Sequence, residues 1–578
     1  ELASLRTLRD VAEKLAVAET GVPSSDSTAP TSASLREVIQ ERTALVVPNM
    51  VLDPTEIAAF VPTLVKDQRP GFGLSALIGD RRVEITDENP SLAEALSAGL
   101  SARGVSATVV ERPSESACAV ICLAGLSDMP AGPVGALHVH QSAIEVAKVI
   151  AQHPNAEERL FVTVQSTGGC FGLDGSSGDH AWRGGLAGVV KTAAREWPGA
   201  SLKAIDVADP ERSADAILDE LFLGGPALEV AYATDGTRSV VQVESLATDD
   251  SRGPALAPGS VVVVSGGARG VTASSVAKLA EKWKVKLALL GRSKLAEWPE
   301  GVPLTTDATQ ITGALASSAK ALGEQVDFSA IQKQAQSLAG SAEVRMSLAE
   351  LDARGIEAIY LSADVTNLEQ VETALDQIRE TWGSVDGIVH GAGVLRDKSI
   401  ADMTPDRVAE VFGPKVGGLA VLLEATKDDP IQLIALFSSI AARAGNAGQV
   451  AYAAANEVLN KVAASEAARR GDRCRVRSYN WGPWAGGMVD EALAAHFERQ
   501  GIALLGVDAG AQFFVEELGL TGAGVERVVL AAPSFPATRQ SFTLGDGEGD
   551  KKGIGSSDVA GLALRLGEAL RPVGTMRA

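Results

Sequence analysis

From about residue 44 onward, short apolar runs alternate with stretches whose apolar residues recur at helical spacing. Apolar, β-branched runs bounded by turn residues read as buried strands, and their regular alternation with helices predicts a parallel sheet. In the first half the expected strands are residues 74–78, 107–110, 118–123, 160–165 and 202–207, and AWRGGLAGVVKTAAREWP (181–198) reads as a helix. TDDSRGPALAPGS (248–260) is a turn-rich linker. The pattern then restarts more clearly. Strands are expected to open at Val261 (VVVVSGG), Lys286 (KLALLGRS), Ala358 (AIYLSADV), Gly387 (GIVHGAGV), Gln432 (QLIALFSSI) and Cys474 (CRVRSYNWGPW).

The fold class this predicts is α/β, with two Rossmann-like, doubly wound parallel-sheet halves. The halves read as a weak repeat: RLFVTVQST followed by AWRGGLAGVVKTAAREWPGASLKAIDV mirrors QLIALFSSI followed by AYAAANEVLNKVAASEAARRGDRCRVRSYNW. Residues 1–20 read as a short amphipathic helix, 21–43 as a Pro/Ser/Thr linker, 44–255 as the first half, 256–535 as the second, and 536–578 as a Gly/Ser/Asp-rich linker and tail. Residues 297–348 form an insertion of helical composition in a crossover about twice the usual length. The chain opens on Glu1 rather than Met and is expected to be cut from something larger.

A length of 578 residues is too great for one core. With 46% hydrophobic and 22% charged residues the composition is that of a soluble globular protein, and a net charge of −21 argues against nucleic acid or an anionic membrane surface as partner. The four cysteines, Cys118, Cys122, Cys170 and Cys474, follow no zinc spacing and are expected to be reduced, which places the chain in the cytoplasm. No membrane span, signal peptide or metal-ligating cluster is visible.

The chemistry is concentrated in the second half. SGGARGVTAS follows a run of valines and precedes a helix. Gly266, Gly267 and Gly270, with Arg269 and Val271, allow a tight turn and close approach to a pyrophosphate at a helix N-terminus, although Thr272 stands where a third glycine is usual. The second strand ends in Gly291-Arg292-Ser293 rather than an acid, which suits a 2′-phosphate and points to NADPH; the plainer alternative is a solvated Arg292. Asp364 and Val365 end the third strand, and Asp364 is placed for the adenine amino group. Gly391, Ala392 and Gly393 end the fourth, where small residues let a cofactor lie on the backbone; His390 before them reads as a packed histidine. Hydride delivery to a ketone leaves a developing alkoxide, which needs a proton and aimed donors. Tyr452 can be the general acid, Ser439 can hold the substrate carbonyl, and a neighbouring ammonium is expected to lower the phenol pKa. The first half has no tyrosine in the matching region, and its expected first strand, GLSALIGDRR, lacks a phosphate-binding turn. It is expected to be cofactor-free and structural.

The spacing of Lys415, Ser439, Tyr452 and Asn456, with FGPKVGG, FSSIAARAGNAGQVAYAAAN, NWGPW and HGAGVLRDKSIADMTPDRVAEVFGPK, resembles the ketoreductase domains of polyketide and fatty-acid synthases. Those are complex short-chain dehydrogenases in which lysine and asparagine have exchanged the places they hold in simple short-chain reductases. The resemblance covers residues 44–535 and implies a truncated structural half followed by a catalytic half. It also implies that Lys415 supplies the ammonium while Asn456 orients Lys415, the tyrosine helix or a water. The insertion, SGGARGVTA and WRGGLAGVVKTAAREWP look most like the ketoreductases of polyunsaturated fatty acid synthases, with enediyne-type synthases the near neighbour. SLRTLRDVAEKL resembles the last helix of an acyl carrier domain. Leu395-Arg396-Asp397, keeping the last Asp of the family's Leu-Asp-Asp, and Ala444 in place of a tryptophan imply the (R)-alcohol. AGGMVDEALAAHFERQG resembles the substrate lid, where Met488 either touches the acyl chain or packs as an ordinary helix residue. The resemblance therefore implies an NADPH-dependent 3-ketoacyl reductase whose partners are acyl carrier domains and neighbouring synthase domains; the alternative outside enzymology is a silent scaffold. Arg469, Arg470, Arg473, Arg475 and Arg477 offer either a carrier-docking patch or a solvated turn with an arginine-bearing strand.

Overall fold

The computed structural model describes residues 57–531 except 79–80, 247–252, 296, 323–326, 488–493, 496, 498–501 and 522–523. The expected opening helix (1–20), the linker (21–43), the tail (536–578) and Met488 lie outside the described residues.

The apolar runs of the second half form β9 (Val261–Ser265), β10 (Lys286–Gly291), β11 (Ala358–Ser362), β12 (Gly387–His390), β13 (Leu433–Ser439), β14 (Arg475–Trp481) and β15 (Glu526–Ala531). Their spatial order is β11-β10-β9-β12-β13-β14-β15, all parallel. The order reverses between β9 and β12, which opens a crevice at their carboxyl ends. β9 is buried on both faces, as a strand of consecutive valines requires.

In the first half, β2 (Arg82–Thr86), β3 (Ser106–Val110), β4 (Ala119–Gly125), β5 (Leu160–Gln165), β6 (Ser201–Val207) and β7 (Glu229–Tyr232) are parallel in the order β3-β2-β4-β5-β6-β7, and β8 (Arg238–Ser245) runs antiparallel beside β7. β1 (Ile57–Lys66) pairs antiparallel with β15 on one side and β8 on the other, so all fifteen strands form one sheet. Two expectations are corrected. Residues 74–78 contain a 3₁₀ turn, Ser75–Leu77, and the leading strand of this half is β2. β1, β7, β8 and β15 were not among the expected strands.

Two helices of the first half, α1 (Pro133–Ala151) and α2 (Leu186–Glu196), face the second half. There the crossover helix after β9 is α3 (Gly270–Trp283). The insertion is a helical pair, α4 (Ala308–Ala321) and α5 (Phe328–Ala353), whose second helix runs past the expected end of the insertion. Asp307 and Asp327 cap the two N-termini through their carboxylates, and Ile311, Leu315, Ile331, Ala335 and Leu338 bury a small core between them. Beyond β12 come α6 (Pro405–Phe412) and, after β13, α7 (Val450–Arg470).

α2 packs on α7 at glycine distance: a Cβ on Gly188 would lie 2.8 Å from the Ala453 carbonyl carbon. Around that contact three cations and three carboxylates are buried together. Glu229 meets Lys191 (2.9 Å) and Arg443 (3.3 Å), Glu457 meets Lys461 (2.9 Å) and Lys191 (3.6 Å), and Glu526 meets Arg443 (3.0 Å). Lys191 and Glu229 belong to the first half and the others to the second. Burial opposes ionisation of Glu457, yet Arg443, Lys191 and Lys461 hold its carboxyl well below the usual range.

Candidate active site

The turn after β9 is tight and glycine-rich. Gly266 and Gly270 have φ of 68° and 62°, where only glycine is unstrained. A Cβ on Gly266 would lie 2.8 Å from the Ala392 amide nitrogen, so the turn rests on the Gly391–Ala392–Gly393 backbone, and one on Gly267 would strike Val264 at 2.2 Å. α3 starts at Gly270 with no side-chain cap, which leaves its first N–H groups open to an anion. Thr272 is accommodated by Gly391: a Cβ there would lie 2.5 Å from the threonine hydroxyl. Val271 faces Gly487, and Val365 is buried. The Asp364 carboxylate closes its own turn, accepting from the Thr366 amide (3.0 Å) and hydroxyl (2.8 Å); these bonds outweigh burial and hold it below its ordinary pKa.

Arg292 is exposed at the end of β10, and the Ser293 carbonyl accepts from the Tyr360 hydroxyl at 2.8 Å. Helix α5 stands against this edge. Its Glu343 pairs with Arg269 at 3.4 Å, and a Cβ on its Gly340 would lie 3.6 Å from Ser293 Oγ. Sequence reasoning used the insertion only as a mark of kinship and missed Glu343, since nothing local ties residue 343 to residue 269.

Ser439 ends β13 and caps the short helix Ile440–Ala444, its Oγ accepting from the Ala441 amide at 3.2 Å. Tyr452 lies half-buried in the first turn of α7. α6 runs into a π turn, Gly413–Gly417, where Pro414 has no N–H to continue the α-helical ladder. That turn carries Lys415, which is 3% exposed. Its Nζ donates to the Phe437 carbonyl at 2.9 Å and lies 5.3 Å from the Tyr452 ring centroid. A Cβ on Gly393 would lie 2.9 Å from Lys415 Cε, so the glycine leaves room for the lysine stem. Asn456 Nδ2 donates to the Tyr452 carbonyl at 2.8 Å, and its buried Oδ1 has no hydrogen-bond partner. The structure thus brings Lys415, Ser439, Tyr452 and Asn456 to one place at the carboxyl ends of β12 and β13.

Burial pushes the Lys415 ammonium down to about 7. Burial pushes the Tyr452 phenol up, the Asn456 and Ser439 side chains pull it down, and Asp397 pushes it up again. The net direction is upward, against the expected lowering, because burial of the phenol outweighs its polar neighbours. Asp397 accepts from Gln449 at 2.9 Å, and burial raises its pKa. Arg396 turns to Glu410 on the exposed side. His390 is fully buried, with Nδ1 2.7 Å from Ser265 Oγ and Nε2 2.8 Å from the Lys415 carbonyl oxygen.

In the arginine cluster Arg469 and Arg470 pair with Glu466, Arg473 is exposed and donates to the Arg470 carbonyl, Arg475 donates to the Gly253 and Leu518 carbonyls, and Arg477 is buried against Glu517. All four cysteines are free thiols. Among the described residues no group of acidic, histidine or cysteine side chains is set to hold a metal ion, and no helix is long and apolar enough to cross a membrane.

Residues 260–486 match the model of the KR domain family. One polyunsaturated fatty acid synthase subunit from Thraustochytrium sp. is 34% identical over 369 residues, covering 61% of this chain and 13% of that protein. Polyketide synthase PksN of Bacillus subtilis is 27% identical over 405 residues, 66% of this chain and 6% of its own length. The chain therefore spans only a small part of these curated relatives. Two solved structures share the fold: an A1-type ketoreductase (TM-score 0.61, 20% identity, 89% of this chain and 100% of that one) and a ketoreductase domain from the bacillaene assembly line (TM-score 0.60, 20% identity, 82% and 97%). Residues 260–486, which hold the crevice, its glycine turn and the four converging side chains, are thus a KR domain by the family match, and the relatives that share it are polyketide and polyunsaturated fatty acid synthase subunits.

Proposed function

We propose that this chain uses NADPH to reduce a 3-ketoacyl thioester, carried on an acyl carrier protein, to the (R)-3-hydroxyacyl thioester within a polyunsaturated fatty acid synthase. The observation that carries this reading is the convergence of Lys415, Ser439, Tyr452 and Asn456 beside a glycine turn with an open helix N-terminus. The kinship with a synthase of that type supports the choice.

When bound, the dinucleotide supplies the hydride to the keto carbon. The α3 amides would hold its pyrophosphate, and Arg292, Ser293 and Arg269 would meet a 2′-phosphate. Ser439 Oγ donates to the keto oxygen. Tyr452 gives its proton to that oxygen as charge develops, so the carbonyl π pair becomes the O–H bond. The phenol is protonated at neutral pH, and its raised pKa has to be offset for it to give the proton up. The phenolate it leaves is stabilised by the Lys415 ammonium beneath the ring. Asn456 Oδ1, buried and without a partner, can accept from a water or from that ammonium as the proton is replaced.

The first half serves as structure in this reading. β2 leads into the helix Pro90–Ala102 through Asp87, Glu88 and Asn89, with Asn89 capping the helix and acids standing where a phosphate would lie. The test is turnover of a 3-ketoacyl thioester, on a carrier domain and on a short thiol, with NADPH and with NADH. Preference for NADPH and an (R)-alcohol by chiral chromatography are expected. An (S)-product or equal use of NADH would contradict the assignment.

A further inference from the structure

His390 ends β12, beside the site but outside the catalytic set. Its two hydrogen bonds fix its protonation. A carbonyl oxygen only accepts, so Nε2, 2.8 Å from the Lys415 carbonyl, must carry the proton. Nδ1 is then bare and accepts from the Ser265 hydroxyl at 2.7 Å. One neutral tautomer satisfies both neighbours, and burial keeps the ring neutral by pushing its pKa down to about 3. The ring is packed as well as bonded: a Cβ on Gly418 would lie 3.2 Å from its Cε1.

The carbonyl that His390 meets belongs to the π turn Gly413–Gly417, where the helical ladder is interrupted. That carbonyl also accepts from the Gly418 amide at the end of the turn, so His390 is its second donor, the one that ties the turn to β12. At its other end the chain of bonds reaches Ser265, the last residue of β9 and the one before Gly266. The Ser265 carbonyl accepts from Gly391 at 3.0 Å, so the cofactor turn, the Gly391–Gly393 backbone and the lysine turn share one anchor.

We propose that His390 is the positioning residue for Lys415: the relay Ser265 Oγ–H to His390 to Lys415 C=O locks the π turn so that Nζ stays over the Tyr452 ring, and it ties that lock to the cofactor turn. The proposal rests on Lys415 acting as the ammonium of the ketoreductase site. His390 touches neither substrate nor the reacting atoms.

The experiment compares wild type with His390→Leu, His390→Gln and Ser265→Ala in the full chain. It measures kcat and KM for a cyclic ketone and Kd for NADPH. His390→Leu is expected to lower kcat about five- to tenfold, the loss that one buried hydrogen bond implies, with the NADPH Kd changed by less than about twofold. His390→Gln, whose amide N–H can reach the carbonyl, is expected to recover most of the loss, and Ser265→Ala to lose about two- to fivefold in kcat by freeing the tautomer. An unchanged kcat in His390→Leu overturns the proposal, as does a loss matched by NADPH affinity and not recovered by glutamine. If the leucine variant fails to fold, an unchanged kcat in Ser265→Ala overturns it. An inactive wild type would sink the reductase reading instead. The relay is then read from imidazole nitrogen NMR shifts: a neutral Nε2–H tautomer persisting to about pH 5 is expected, and the other tautomer overturns the relay.

Discussion

Lys415 is the residue on which the site turns. It is buried and held to the Phe437 carbonyl, and burial pushes its pKa down to about 7. Its positive charge is therefore lost as pH rises through that value. If the ammonium stabilises the Tyr452 phenolate, kcat/KM for the ketone should fall above about pH 7, and Lys415→Met should show low activity without that limb. A profile flat to about pH 9 would contradict the role, since 9 lies well above the folded value and below the ordinary lysine range. Stability runs the other way. The folded lysine binds fewer protons than the unfolded one between its folded and ordinary pKa values, so its burial penalises the fold at low pH and is relieved as pH rises. Activity and stability should therefore diverge on the alkaline side, which separates loss of the ammonium from unfolding. Asn456 belongs to the same scale. Asn456→Ala removes a bond to the Tyr452 carbonyl and a buried acceptor, and about a tenfold loss in kcat is expected, measured at saturating NADPH.

At the scale of elements, the insertion helix α5 changes the account of the cofactor site. Glu343 pairs with Arg269, and in the proposed NADPH complex it would compete with the 2′-phosphate for that guanidinium. Both side chains are substantially exposed, so the pair is weak, and Glu343→Gln is expected to tighten NADPH binding by about two- to fivefold while leaving NADH unchanged. Titration of cofactor fluorescence checks this, and an unaltered NADPH-to-NADH ratio would contradict it. Other elements differ in how plainly the chain announces them. Strands β9 to β14 were legible because valine runs, glycine turns and small residues mark them, and the spacing of Ser439, Tyr452 and Asn456 lay on one strand and one helix. β1 was missed because IAAFVPTLVK carries a proline. Its pairing with β15 ends at Phe60, so Pro62 falls where that edge meets no strand among the described residues. β2 was missed because RVEIT hides Glu84 in the core, where Ser114 satisfies both carboxylate oxygens through its amide and hydroxyl. The apolar residues 74–78 drew the assignment instead. Glu343 beside Arg269, and His390 between Ser265 and Lys415, are contacts between distant parts of the chain that periodicity cannot show.

At the scale of the whole molecule, the two halves are joined by a shared strand and a shared core of charge. β1 opens the first half in sequence yet is the strand between β15 and β8. Residues 256–535 expressed alone would expose the β15 edge and take Glu229 from Arg443 and Lys191 from Glu457, so they are expected to aggregate. Glu229→Ala strips Lys191 and Arg443 of a buried carboxylate and should destabilise the chain by about 3 kcal/mol, read by denaturant unfolding. A soluble, active second half, or no change with Glu229→Ala, would contradict this coupling. The central claim is that the chain is a ketoreductase whose proton comes from Tyr452. The most direct test follows NADPH consumption with a short 3-ketoacyl thioester for wild type and Tyr452→Phe. Turnover by wild type, with a loss of at least about a hundredfold in the phenylalanine variant at unchanged NADPH affinity, is the predicted result. Equal turnover by both proteins, or no NADPH binding by either, would contradict it.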